Sequence, residues 1–189
     1  MSEKTDARIA KTTDKLRKAL LELMTAQPVD SITVTSLCKA AGINRNTFYA
    51  HYNEPVDLLN EIENGLLSIM WNTLSQVDAS MLDIKAFVRS IIHTIASYKD
   101  VCYVILSDHG NRHFVSQIVD MLHDKTTGIW IQKGMTEEEA DVTYHYCVAG
   151  ALGVIENWVK SGYKIGSDEL ADMLSDLIES GQIRNISRY

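Results

Sequence analysis

The chain has 189 residues, 46% of them hydrophobic and 23% charged, with two prolines and ten glycines; this is the usage of a folded globular protein and excludes extended disorder away from the ends. Its length allows a sizeable core, as one large domain or as a small domain fused to a larger one. The net charge of −7 is unevenly spread, because the segment up to Asn53 holds eight basic and five acidic residues, a net of +3, and leaves −10 for the rest. A weakly basic head on an acidic body has the charge distribution of a nucleic-acid-binding head on a sensing or oligomerising body.

From Asp6 to Ala26, Ile9, Leu16, Leu20, Leu23 and Met24 recur at helical spacing with lysines and arginines between them, and Gln27-Pro28 ends the run. This predicts a first amphipathic helix. Thr33 or Thr35 can cap a short second helix that ends at Ala41, with Val34, Leu37 and Cys38 on one face and Gly42 as the left-handed residue behind it. Asn44 caps a third helix, Arg45 to about Tyr52, rich in aromatic and hydrogen-bonding groups. Pro55 opens a fourth, which runs through Leu58, Leu59, Ile62, Leu66, Ile69 and Met70 to about Leu74. No strand-like alternation follows. Helical patterns recur over Leu82 to Tyr98, near Val101 to Ser107, over Phe114 to about Ile131, Glu137 to Lys160 and Glu169 to Ile178. Thr136 with Glu139 reads as a capping box, and Ser167-Asp168-Glu169 suits the start of the last helix. The expected fold is therefore all-α.

The cysteines Cys38, Cys102 and Cys147 are widely spaced and form no CxxC pair, so neither a disulfide framework nor a zinc site is expected. Met1 to Lys18 is polar, and the longest uncharged run of apolar residues and glycine, Tyr146 to Ile155, is far shorter than the ~18 residues of a spanning helix. The expectation is an unexported cytoplasmic protein with no membrane partner.

Residues Ile32 to Tyr52 place two short helices on either side of an Ala-Gly-Ile-Asn turn, the spacing of a helix-turn-helix. In such a unit the second helix enters the major groove of DNA and its first residues reach base edges, here Arg45 and Asn46. Leu37 and Phe48 are apolar and are expected to hold the two helices together. With Phe48 inward, Tyr49 should face out.

The run Ala41-Gly42-Ile43-Asn44-Arg45-Asn46-Thr47-Phe48-Tyr49-Ala50-His51-Tyr52 resembles the recognition region of the TetR/AcrR regulators, and the resemblance covers about residues 8 to 60. It implies an N-terminal three-helix DNA-binding domain over 1–54, joined to a helical effector-binding and dimerisation domain over 55–189. It further implies Thr35, Arg45, Asn46, Thr47, Tyr49 and His51 as DNA-contacting positions. One departure stands out: the family commonly has a lysine at the start of the fourth helix to meet a phosphate, whereas Asn53-Glu54-Pro55 offers no cation. Backbone amides there remain as donors.

In the body, Ala149, Gly150, Ala151 and Gly153 sit in a helical run ending near Trp158, although each helical glycine costs ~1 kcal/mol relative to alanine. The close approach of another helix would offset that cost. This segment and the helix after it resemble the last two helices of a TetR-like C-terminal region found in Gram-positive bacteria, which implies a homodimer interface holding Ala149, Gly150, Gly153 and Trp158. Met70, Trp71, Phe87, Tyr98, Tyr103, Phe114, Trp130 and Tyr144 are candidates to line a cavity for a small hydrophobic or aromatic effector. His109 and His113 have the i, i+4 spacing of metal ligands but lack the glutamate of a zincin motif and flank Gly110. No cofactor, metal or catalytic set is expected, so the chain is not read as an enzyme. The leading reading is a repressor that binds a palindromic operator as a homodimer and is released by a small effector. The alternative is a TetR-like co-activator or adaptor controlled by a protein partner.

Overall fold

The computed structural model describes residues 3–75 and 84–186. Among these residues all regular structure is helical: α1 (Glu3–Met24), a 3-10 turn (Val29–Ser31), α2 (Val34–Ala41), α3 (Arg45–Tyr49), α4 (Pro55–Ser75), α5 (Ile84–Ser97), α6 (Lys99–Ile105), α7 (Arg112–Gln132), α8 (Glu137–Lys160) and α9 (Ser167–Ile186). The expected helices are all present, with two differences at their ends. The third stops at Tyr49, because the amides of both His51 and Tyr52 turn back to the carbonyl of Phe48 at 2.9 Å. The last starts at Ser167 itself and runs on to Ile186, past the expected end at Ile178. Leu82, the expected start of the fifth helix, lies outside the described residues.

The chain divides into two compact units, one of residues 3–66 with Val104–Asn111, the other of the described residues in 67–103 and after 111. In the first, Leu16, Leu20 and Met24 of α1 and Leu37 of α2 are fully buried, together with Phe48 of α3 and Leu58 of α4. The later segment of this unit is fastened to α4 by Asn111, whose Nδ2 donates to the buried carboxylate of Glu63 at 3.0 Å. Gly110 is required here: a Cβ would stand 1.8 Å from the carbonyl oxygen of Ile105.

In the second unit α5 packs along α9, α7 along α8, and α8 against α9. A ladder of ion pairs sets the register of α5 on α9. Lys85, Arg89 and His93, four residues apart, meet Asp176, Asp172 and Asp168, also four apart and in reverse order, as two antiparallel helices require. Each pair is surface-exposed and individually weak, so the ladder selects register more than it adds stability. Between α7 and α8 lies a cluster of Leu122, Trp130, Met135, Ala140 and Tyr144, with Phe87 and Ile91 of α5 against it. Thr136 caps α8 through the expected box, its Oγ1 accepting from the Glu139 amide at 3.2 Å and its own amide donating to Glu139 Oε2 at 3.0 Å.

Candidate nucleic-acid interface

The N-terminal unit builds its outward surface from short-range rules. Thr33, not Thr35, caps α2: its Oγ1 accepts from the Ser36 amide at 3.1 Å while Ser36 Oγ accepts from the Thr33 amide. That leaves Thr35 exposed on the first turn of α2. Gly42 takes φ +63° behind α2, and the Ile43 amide closes the helix on the Cys38 carbonyl at 3.0 Å. Asn44 Oδ1 then accepts from the Asn46 amide at 2.9 Å and starts α3. The turn between the helices is thus fixed by one left-handed glycine and one side-chain cap.

On α3 the side chains divide by face. Phe48 is fully buried and stacks edge-on with Tyr49 at 5.7 Å. Tyr49 is 50% exposed, and Thr35, Arg45, Asn46, Thr47 and His51 are exposed with it. All six sequence-derived contact positions are therefore exposed, while Leu37, Cys38 and Phe48 between them are buried. Arg45 also lies near enough to Cys38 to oppose electrostatically the upward push that burial exerts on that thiol.

Two features of this unit carried no signal in the residue pattern. Tyr52 is buried, and its hydroxyl donates to Glu61 Oε2 on α4 at 2.8 Å while Arg17 of α1 pairs with Glu61 Oε1. Burial, followed by the bond to Glu61, raises the Tyr52 pKa. The second feature concerns the start of α4. Asp57 Oδ2 accepts from the backbone amides of both Asn53 and Glu54, at 2.8 and 3.0 Å, and these bonds hold its carboxyl below the usual range. Two of the amides expected to remain available to phosphate are therefore bonded to a carboxylate.

In the second unit the candidate effector residues fall into two groups. Trp130 and Tyr144 are buried in the α7–α8 cluster and Phe87 is half-buried against it, with the Tyr144 hydroxyl bonded to the Val119 carbonyl. Trp71, Tyr98 and Tyr103 are exposed, and Met70 and Phe114 are buried. His109 sits in the turn after α6 and His113 on α7, so the helical i, i+4 relation does not hold for them. On α8, Ala149, Gly150 and Gly153 are exposed, and a Cβ at either glycine would meet nothing within 4 Å. They continue a stripe along α8 that includes Val142 and Tyr146, 70% and 76% exposed, and on α9 Met173 and Leu177 are exposed too. Trp158 turns the other way: it is buried, its indole N–H donates to the Ile165 carbonyl at 2.7 Å, and its ring packs on Tyr163.

Residues 83–180 match the profile of the TetR-type transcriptional regulator C-terminal region. The chain belongs to the TetR family of transcriptional regulators. An uncharacterized HTH-type transcriptional regulator of Bacillus subtilis, YxbF, is 21% identical over 87% of this chain. The present chain spans 44% of that relative's length. Among solved structures, the dihydroxyacetone kinase operon activator DhaS superposes with TM-score 0.63 at 18% identity, covering 92% of this chain and 97% of that one. NalD, the secondary repressor of the MexAB-OprM multidrug efflux pump in Pseudomonas aeruginosa, gives TM-score 0.68 at 16% identity over 92% and 97%. An activator and a repressor thus share the fold of this TetR-family chain, and at these identities the likeness is one of fold.

Proposed function

We propose that this TetR-family regulator binds a palindromic operator as a homodimer, one α3 per major groove, and represses transcription until a small hydrophobic or aromatic effector releases it. The observation that carries the reading is the exposure of Thr35, Arg45, Asn46, Thr47, Tyr49 and His51 on and just after a capped helix-turn-helix. Arg45 and Asn46 at the start of α3 would read base edges, and Thr35, Thr47, Tyr49 and His51 would fix the phosphate register. In this reading residues 1–54 form the DNA-binding head and 55–189 the body, α4 being the covalent link between them. The exposed α8–α9 stripe would be the face shared by two subunits, with Trp158 supporting it from inside the turn. Trp130, Tyr144 and Phe87 mark the part of the body suited to an apolar ligand. The reading places the protein in the cytoplasm and assigns it no catalytic role. Selection of bound duplexes from a random pool tests it: recovery of a two-fold symmetric sequence supports it, and a pool with no enrichment overturns it.

One observation favours a second reading, that of a co-activator or adaptor controlled by a protein partner. Glu54 and Asp57 place two carboxylates at the start of α4, one of them already bonded to backbone amides, which lowers intrinsic DNA affinity. If the selected duplex binds only when a second protein is supplied, this reading replaces the first.

A further inference from the structure

His123 lies on α7 with both ring nitrogens against carboxylates: Nδ1 is 3.0 Å from Asp124 Oδ1 on its own helix, and Nε2 is 3.0 Å from Asp141 Oδ1 on α8. A neutral imidazole has one N–H and one lone pair, so it can donate to only one of two ionised carboxylates and would turn a lone pair toward the other. The doubly protonated imidazolium donates to both. The arrangement therefore fits the charged ring, with one positive charge between two negative ones on different helices.

The surroundings reinforce this. His145, one turn after Asp141 on α8, directs Nδ1 to the Asp141 backbone carbonyl at 2.9 Å and lies 3.6 Å from its carboxylate. The Tyr144 ring stands edge-on to His123, with centroids 4.8 Å apart, and Asp120 acts electrostatically on Tyr144 from one turn earlier on α7. Among the described residues, the titratable groups shown against His123 or its partners are Asp120 and Asp124 on α7 and Asp141, Tyr144 and His145 on α8, with Lys125 two residues along α7. The α5 residues that pack on the adjoining cluster, Phe87 and Ile91, are apolar. Hydrogen bonds to Asp124 and then Asp141 raise the pKa of His123 against a small opposing desolvation.

We propose that His123 is a proton-operated clamp between α7 and α8: protonated, it bridges Asp124 and Asp141 and holds the two helices in register; neutral, it releases one of them. The two helices it joins carry Trp130 and Tyr144, and α8 also carries the exposed stripe, so the clamp sits where loosening would reach both. The sign follows from the raised value. A group whose pKa is higher in the folded state stabilises it fully below the unfolded value, about 6.5 for histidine, and that contribution is lost as pH rises through the folded value.

The test uses the full-length protein. The imidazole resonances of its six histidines are followed by NMR from pH 5 to 9, with His123 assigned by its loss in His123→Gln. The expected result is a His123 midpoint above about 6.5 that moves back toward that value in Asp141→Asn. Thermal unfolding gives a second readout: between pH 6 and pH 8.5 wild type should lose about 2 °C more than His123→Gln, which keeps one hydrogen bond but cannot change charge. A wild-type His123 midpoint at or below 6.5, or one unmoved by Asp141→Asn, overturns the proposal. If either variant fails to fold, His123 is assigned in wild type by through-bond correlation of its ring to its own backbone, and the wild-type midpoint decides the proposal.

Discussion

The Tyr52 hydroxyl donates to Glu61 Oε2 at 2.8 Å, and the other oxygen of the same carboxylate is held by Arg17. One glutamate on α4 therefore ties together α1 and the residues that follow α3. Phe48 and Tyr52, whose rings lie 5.7 Å apart, form the apolar side of the same joint. Tyr52→Phe keeps the ring and removes the bond, so stability should fall by about 1 kcal/mol. Operator affinity should fall as well, although Tyr52 is buried and touches no DNA. Urea unfolding and DNA titration of the same variant check this; unchanged affinity at reduced stability would confine the joint to folding.

Base reading and phosphate contact are separable on α3. Arg45→Ala should cost about 1–3 kcal/mol if Arg45 reads guanine, with the preference relaxed at one base position. Tyr49→Phe should weaken all duplexes about equally if the hydroxyl meets a phosphate. Fluorescence anisotropy with selected and scrambled duplexes distinguishes these outcomes. No effect of Arg45→Ala on either duplex would mean that α3 is not the reading helix.

The start of α4 predicts an unusual salt dependence. With Asp57 on two amides and Glu54 beside them, the logarithmic salt slope should be shallower than in regulators with a cation there, and Glu54→Lys should steepen it by about one. Asp57→Ala should lower the melting temperature and shorten α4 by freeing the Asn53 and Glu54 amides. Because the Asp57 pKa is lowered in the folded protein, its contribution is present above the ordinary carboxylate value of about 3.9 and disappears as pH falls through the lower folded value. Acid titration of wild type against Asp57→Ala should therefore converge only at low pH.

Gly150 and Gly153 give a direct test of subunit association. Since neither has a neighbour within 4 Å of an added Cβ, the chain by itself tolerates a larger side chain there. Gly153→Phe should remain helical by circular dichroism yet sediment as a monomer, whereas wild type should sediment as a dimer at micromolar concentration. Gly150→Ala should stabilise an isolated helix by about 1 kcal/mol and weaken the dimer if two helices approach closely there. A monomeric wild type rejects the interface.

The features that the sequence determined are those settled within one helical turn. Gly42 had to take the left-handed conformation, Asn44 and Thr136 had to cap because their oxygens reach an amide two or three residues on, and apolar spacing turned Phe48 inward and Tyr49 outward. These are local steric and hydrogen-bond constraints, so the helix-turn-helix and its outward residues are legible without a fold. Packing decided what depends on partners distant in the chain. Asp168 meets Arg89 from 79 residues away, and nothing local to either selects that pairing over another acid on α9. Trp158 looks inward and Val142 and Tyr146 outward because α7, α9 and the turn after α8 cover the other faces of that helix. His123 finds Asp141 across two packed helices. Side-chain charge can be counted along a sequence, but which charges share a few ångströms is fixed by the packing of helices on one another.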